Sequence, residues 1–420
     1  MMVVSDPLVF LRELYDAAVA AAQPSKSVPL HMPKPPQGGR VFVVGAGKAS
    51  AQMAQSFERS WAHHDTHPLS GIVITRYGYS APCEHIKILE AAHPVPDTAG
   101  LEATGQLINF LRAAKLTEND LVVCLISGGG SALLVQPIDC ISFAEKAQIN
   151  DALLKSGAPI QHMNIIRKKI SKIKGGGLGE MIAPAHLHTL IISDVAGDDV
   201  SSIASAPTLA SKSSNAEALA LIKRYNIAVP SALRAYLSQD DTSDNDSPIV
   251  HQDIFVIASA KMSLDAAAAL ARGRGIEVHI LSDALEGESG ECARMHIEKI
   301  RKYNTPCLIL SGGETTVKVR GNGRGGNNGQ FALEALKALG AQKHIYGLSA
   351  DTDGIDGSED NAGAFFYAAL ADKAQQKGLD IESYIANNDS YGFFERVDGL
   401  LVTGPTQTNV NDFRAIYIAA

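Results

Sequence analysis

Residues able to handle a phosphate or a small acid recur in this sequence wherever an apolar run stops. Arg40–Gly45 runs into Gly45-Ala46-Gly47-Lys48-Ala49-Ser50, and Leu121–Ile126 into Ser127-Gly128-Gly129-Gly130-Ser131. Leu190–Ile192 leads to Ser193-Asp194-Val195-Ala196-Gly197-Asp198, and Tyr346–Ser349 to Ala350-Asp351-Thr352-Asp353-Gly354. Cys307–Leu310 ends in Ser311-Gly312-Gly313-Glu314-Thr315, and after the β-branched Thr315–Arg320 comes Gly321–Gln330, with Arg324 in its middle. Glycines let backbone amides approach a ligand closely. A helix start favours an anion, and the Gly321–Gln330 loop opens the helical pattern Phe331–Leu339. Lys48 and Arg324 supply positive charge, and loop carboxylates such as Asp194, Asp351 and Asp353 suit Mg²⁺, which takes one or two carboxylates plus phosphate oxygens. The plain alternatives are a glycine-rich hairpin without a ligand and aspartates that only cap turns.

Familiar motifs fit poorly. The Gly45–Ser50 turn ends in Ser50 instead of glycine, and Thr75-Arg76 stand where a ribose-binding carboxylate belongs. Gly47-Lys48 is followed by Ala49, which rules out a Walker phosphate loop. Gly129-Gly130-Ser131-Ala132 is not a nucleophile elbow. There is no Cys/His metal spacing, and lone histidines such as His93 and His162 read as structural. Asn164–Gly177 has an apolar helical face of Ile166, Ile170 and Ile173 and is crowded with cations. That is either a solvated basic face or an anion pocket framed by Arg167 and Lys174.

Alternating strands and helices position these turns at strand ends, which indicates an α/β protein with mainly parallel sheets in both halves. In such sheets ligands bind beyond the carboxyl ends of the strands. With 420 residues the chain exceeds one ordinary core. The acidic, apolar-poor stretch 239–252 reads as a linker between residues 1–238 and 253–420. A net charge of −8 argues against non-specific nucleic-acid binding. No apolar run reaches the roughly 20 residues of a membrane helix. The charged N-terminus does not read as a signal peptide, and five scattered cysteines suit a cytoplasmic protein. The oligomeric state is not legible, a homodimer being one option.

Six blocks carry a resemblance over nearly the whole chain: VVGAGKAS, LISGGGSALL, MNIIRKKISKIKGGGLG, IISDVAGDDVSSIASAPT, LSGGETTV with GNGRGGNNGQFALEA, and ADTDGIDGSEDNAGAF. In this order they resemble the class II glycerate kinases with a C-terminal MOFRL domain, some of whose members are named hydroxypyruvate reductases. The resemblance implies a Rossmann-like N-terminal domain, a smaller α/β C-terminal domain and an active site in the cleft between them. It implies ATP- and Mg²⁺-dependent phosphorylation of D-glycerate to 2-phosphoglycerate.

It also implies that Lys48 is catalytic. The family arginine of the Gly-rich loop falls at Asn327, so Arg324 is the substitute cation, and Lys169 stands where members often have histidine. Expected ligand contacts are Gly45, Gly47, Ser127, Gly128, Gly129, Gly130, Ser131, Arg167, Lys174, Gly312, Gly313, Glu314, Gly325, Gly326, Asn328 and Asp351. Asp194 or Asp353 would hold the metal, with Asp194 also a candidate to orient the hydroxyl. The competing expectations are an NAD(P)H-dependent hydroxypyruvate reductase and a non-catalytic sugar-phosphate sensor.

Overall fold

Near-continuous apolar strands such as VFVVGA and LVVCLI need cover on both faces, the mark of a parallel sheet under helices. The computed structural model, which describes residues 4–63, 67–239, 250–303 and 306–419, places them so. β1 (Val41–Ala46), β2 (Leu69–Arg76), β3 (Ile86–Ala91), β4 (Leu121–Ile126), β5 (His186–Ile192) and β6 (Gln252–Ala258) form one sheet. Its order is β3-β2-β1-β4-β5-β6. β1 pairs in parallel with β2 and β4, β2 with β3, and β4 with β5. β1 and β4 are buried along their whole length. This is the doubly wound order, whose crevice opens where the winding reverses, here beyond β1 and β4.

The chain divides into two compact units. The first holds this sheet: Ser27–Ile192 and Asp199–Ile257. It also carries the helices Phe143–Lys155, Ile160–Lys169, Asn215–Arg224 and Ser231–Leu237. Ile149, Leu153, Ile166, Ile170, Ala218, Ile222 and Leu233 close a core among them. The first of these helices begins with a capping box of Ser142 and Glu145, a signal legible as S-x-x-E.

The second unit is built from residues up to Lys26, Ser193–Asp198 and the chain from Ala258 onward. Packing therefore divides the chain differently from the sequence-order boundary expected within 239–252, most of which lies outside the described residues. The helix Pro7–Ala21 packs on the late strands: Phe10 stacks edge-on with Tyr417 and Tyr15 with Phe413.

The sheet of this unit contains β7 (Glu277–Glu288), β8 (Cys307–Thr316), β9 (Ile345–Asp351), β10 (Gly363–Tyr367), β11 (Leu400–Leu401) and β12 (Asp412–Ile418), in the order β11-β10-β9-β12-β8-β7. Only β7 and β8 pair in parallel; the other four neighbouring pairs are antiparallel. The expectation of mainly parallel pairing is thus corrected here, although β7, β8, β9 and β11 all run the same way. β9 joins β10 without an intervening helix, a connection that permits only an antiparallel partner. β12, the last strand of the chain, inserts in the middle of the sheet and is buried throughout.

Candidate functional site

In the first unit the turns after β1 and β4 lock together. The Lys48 amide donates to the Gly128 carbonyl (2.8 Å), and the Ala49 amide to Ser127 Oγ (3.0 Å). Ser50 Oγ donates to the Leu125 carbonyl (3.0 Å) and lies 3.1 Å from Ser127 Oγ. A Cβ on Gly45 would fall 2.1 Å from the Leu125 carbonyl oxygen, and one on Gly47 2.1 Å from Ser127 Oγ. Gly45, Gly47 and Ser127, expected as ligand contacts, are buried and brace one turn against the other. Gly128 serves the same lock through its carbonyl. Lys48, Gly129 and Ser131 remain partly exposed along the rim, with Gly130 buried beneath them.

A group of cations meets this rim. Lys174 Nζ donates to the carbonyl and the hydroxyl of Ser131, and Ser131 Oγ lies 3.0 Å from Ser205 Oγ. Lys146 Nζ donates to the Ile170 carbonyl (2.9 Å) at the end of the helix Ile160–Lys169, which carries Arg167. Lys146 is 3 % and Lys174 7 % exposed. Among the described residues no carboxylate pairs with Lys146, Arg167 or Lys174. Burial lowers all three pKa values: it takes Lys146 down to about 7 with Arg167 adding to the shift, it alone lowers Arg167, and on Lys174 the nearby Lys146 and Arg167 add to it. Three buried basic groups with no carboxylate beside them among the described residues would suit an anion.

Sequence reasoning found Arg167 and Lys174 but missed Lys146, which no spacing connects to them. The basic helix it expected also ends early, at Lys169; Lys172 and Lys174 follow in a loop. Lys172 pairs with Asp139, and Lys168 Nζ donates to the Ser201 carbonyl (3.0 Å).

The acidic turns lie in the second unit. Asp194, half-buried, follows Ser193, whose amide donates to the Ala258 carbonyl (2.9 Å). Asp351 Oδ1 accepts the Asp353 amide (2.8 Å) and Asp353 Oδ1 the Ile355 amide (2.9 Å), so the turn is wound by its own carboxylates. Among the described residues no group of three or more His, Cys, Asp or Glu could hold a metal. Mg²⁺ in such a place depends on oxygens brought by the ligand.

The Gly-rich loop differs most from its sequence reading. The amides of Gly326, Asn328 and Gly329 donate to the Asp356 carboxylate at 3.2, 2.9 and 2.7 Å. The start of the helix Asn327–Leu339 already holds an anion, one supplied by the chain. The loop glycines make room for the protein too. A Cβ on Gly326 would fall 2.2 Å from Asp356 Oδ1, and one on Gly325 2.2 Å from Ser390 Oγ.

Asn328 is fully buried; its Nδ2 donates to Asp412 (2.6 Å) and its Oδ1 accepts from Ser349 Oγ (2.7 Å). Of the expected ligand contacts, Gly326 and Asn328 are thus hydrogen-bonded within the chain and Gly325 is packed against Ser390. Asn327 donates to both Asp412 oxygens (3.0 Å each), beside the buried Asp412–Arg414 pair.

Arg324 is half exposed, 3.4 Å from both Glu359 and Glu395, and lies over the Tyr391 ring. Gly312 and Gly313 lie inside β8 instead of in a turn, and a Cβ on Gly313 would meet the Leu285 amide nitrogen at 2.1 Å where the β7–β8 register shifts. Glu314 follows them, exposed, in the same strand.

A family model described as a domain of unknown function (DUF4147) matches residues 10–238, and the MOFRL family model matches residues 307–412. The chain is 45% identical to a putative hydroxypyruvate reductase of Agrobacterium vitis, covering 97% of this chain and 94% of that protein. It is 37% identical to a glycerate 2-kinase of Pyrococcus horikoshii, covering 89% and 86%. The crystal structure of a glycerate kinase from Thermotoga maritima superposes with a TM-score of 0.87 at 34% identity, covering 98% of this chain and 99% of that one.

Proposed function

The chain belongs to the glycerate kinase family whose members carry a MOFRL domain, and on that premise we propose that it transfers the γ-phosphoryl group of ATP to the 2-hydroxyl of D-glycerate. The products are 2-phosphoglycerate and ADP. The observation that carries this reading is the uncompensated group Lys146, Arg167 and Lys174, tied through Ser131 to the turn beside Lys48. Phosphoryl transfer asks a protein chiefly to position and neutralise anions, and this arrangement is suited to both.

In the mechanism we assign, Arg167 and Lys174 hold the glycerate carboxylate or a nucleotide phosphate through charge-assisted hydrogen bonds. Lys48 neutralises the oxygens of the transferring phosphoryl group. Arg324 serves a phosphate only by exchanging Glu359 and Glu395 for it. Mg²⁺ fits the acidic turns because their donors are hard carboxylate oxygens. Asp194 or Asp353 would hold it, and when bound it neutralises nucleotide phosphate charge. The free, scattered cysteines support a cytoplasmic setting.

The reductase reading lacks its cofactor's anchor. β2 ends in Thr75-Arg76, and Arg76 lies over the Tyr79 ring where a ribose-binding carboxylate would stand. The test is purified protein with Mg-ATP and D-glycerate, coupled to enolase, which accepts only the 2-phosphate. Enolase-competent product is expected. Absence of product, with nicotinamide consumed on adding hydroxypyruvate, would replace the kinase by the reductase.

A further inference from the structure

We propose that His93 is a catalytic residue of this reaction, the base that takes the proton of the attacking hydroxyl; the inference rests on the kinase reading. His93 follows β3 in the loop that leads to the helix Thr98–Ala114. A Cβ on Gly129 would lie 2.7 Å from His93 Nε2, 2.8 Å from its Cδ2 and 3.4 Å from Lys48 Cγ. The imidazole edge and the lysine stem therefore flank the same glycine, on the partly exposed rim of the turn after β4. Any side chain at position 129 would displace both, and Gly129 also has a positive φ of 79°.

The loop that presents the ring is stiff. Pro94 and Pro96 fix two φ angles. Asp97 Oδ1 accepts the amides of Ala92 (3.3 Å) and Gly100 (2.9 Å), and its Oδ2 accepts the Tyr77 hydroxyl (2.7 Å). The Tyr77 amide returns to the Ala91 carbonyl (3.1 Å). Asp97 and Tyr77 are thus hydrogen-bonded within the loop, and the stem of the cation Lys48 lies beside the ring at Gly129. Lys48 and Arg167 are suited to holding anions, whereas an imidazole can accept a proton near neutral pH.

The step balances. The 2-hydroxyl oxygen bonds to the γ-phosphorus as the bond to the β,γ-bridging oxygen breaks, and ADP leaves with that electron pair. The hydroxyl proton passes to His93 Nε2 and from there to solvent.

The test compares the parent protein with His93→Gln under saturating Mg-ATP and D-glycerate across the acid-to-neutral range. The parent kcat is expected to fall as pH drops, on protonation of one group. H93Q, which keeps the bulk beside Gly129, is expected to lose about 100-fold or more in kcat with KM little changed, and to lose the acid limb. A folded H93Q with parental kcat and pH profile would overturn the role of His93 and leave the kinase reading intact. A parent inactive on D-glycerate would overturn both. Should H93Q fail to fold, the parent profile still decides, because a kcat flat through the acid range excludes such a base. Recovery of His93→Gly turnover by added imidazole would support it independently.

Discussion

At the scale of single residues, the proposed chemistry rests on buried basic groups with no carboxylate beside them among the described residues. Lys146 is an example: buried against the Ile170 carbonyl and beside Arg167, its amine titrates at about 7, far below an ordinary lysine. The sign follows from linkage. In the unfolded chain the amine stays charged to its ordinary value, so the fold binds fewer protons from about pH 7 upward, and stability rises with pH across that window. An anion in the cluster restores the charged form. Binding of D-glycerate near pH 8 is therefore expected to take up protons, measurable by calorimetry in buffers of different ionisation enthalpy. Lys146→Met should diminish the uptake; binding without proton uptake in the parent would contradict the anion assignment.

The sequence pointed to Arg167 and Lys174 through their crowding, but Lys146 sits in the unremarkable helical pattern FAEKAQINDALLK. Only the fold brings it to the end of the helix Ile160–Lys169. His93 was hidden for the same reason, since nothing in its spacing predicts contact with Gly129.

At the scale of elements, the Gly-rich loop shows why a ligand signature can be satisfied from within. Glycines before a helix look the same in sequence whether a phosphate or a protein carboxylate completes them. Asp356 lies beyond β9, too far along the chain for local reading to link it to Gly326 and Gly329. Asp356→Ala leaves three amides without an acceptor and is expected to cost about 3 kcal/mol or more, read by denaturant unfolding.

Burial, with Asp412 nearby, pushes the Asp356 carboxyl up to about 7 despite the three amides that favour its charged form. The fold then binds more protons than the unfolded chain between about pH 4 and 7, so stability falls as pH rises through that window. Asp356→Asn should flatten this part of the stability profile; an unchanged slope would assign it to another group.

At the scale of the whole molecule, alternation of strands and helices made the α/β class and both sets of strand-end turns legible. It misled on the second sheet, because direction depends on connections: a strand returning through a loop pairs antiparallel, and the period of its side chains is the same either way. Chain order also concealed that the helix Pro7–Ala21 belongs with the last strands. Phe10, Leu11, Leu14, Tyr15 and Ala18 are buried in a core with Leu308, Leu348 and Phe413, and Tyr15 donates to the Asp351 carbonyl (2.8 Å). Each large apolar side chain buried there stabilises by about 1.5–3 kcal/mol. Removing residues 1–22 is expected to abolish hydrogen-exchange protection in β8, β9 and β12; retained protection would show that the helix is dispensable.

The central claim, that the turn beside Lys48 performs phosphoryl transfer to D-glycerate, is tested most directly by the enolase-coupled turnover of Lys48→Met beside the parent. A folded variant whose kcat falls by about 100-fold or more, with the parent forming 2-phosphoglycerate, is the expected result. Parental turnover by a folded Lys48→Met would contradict it.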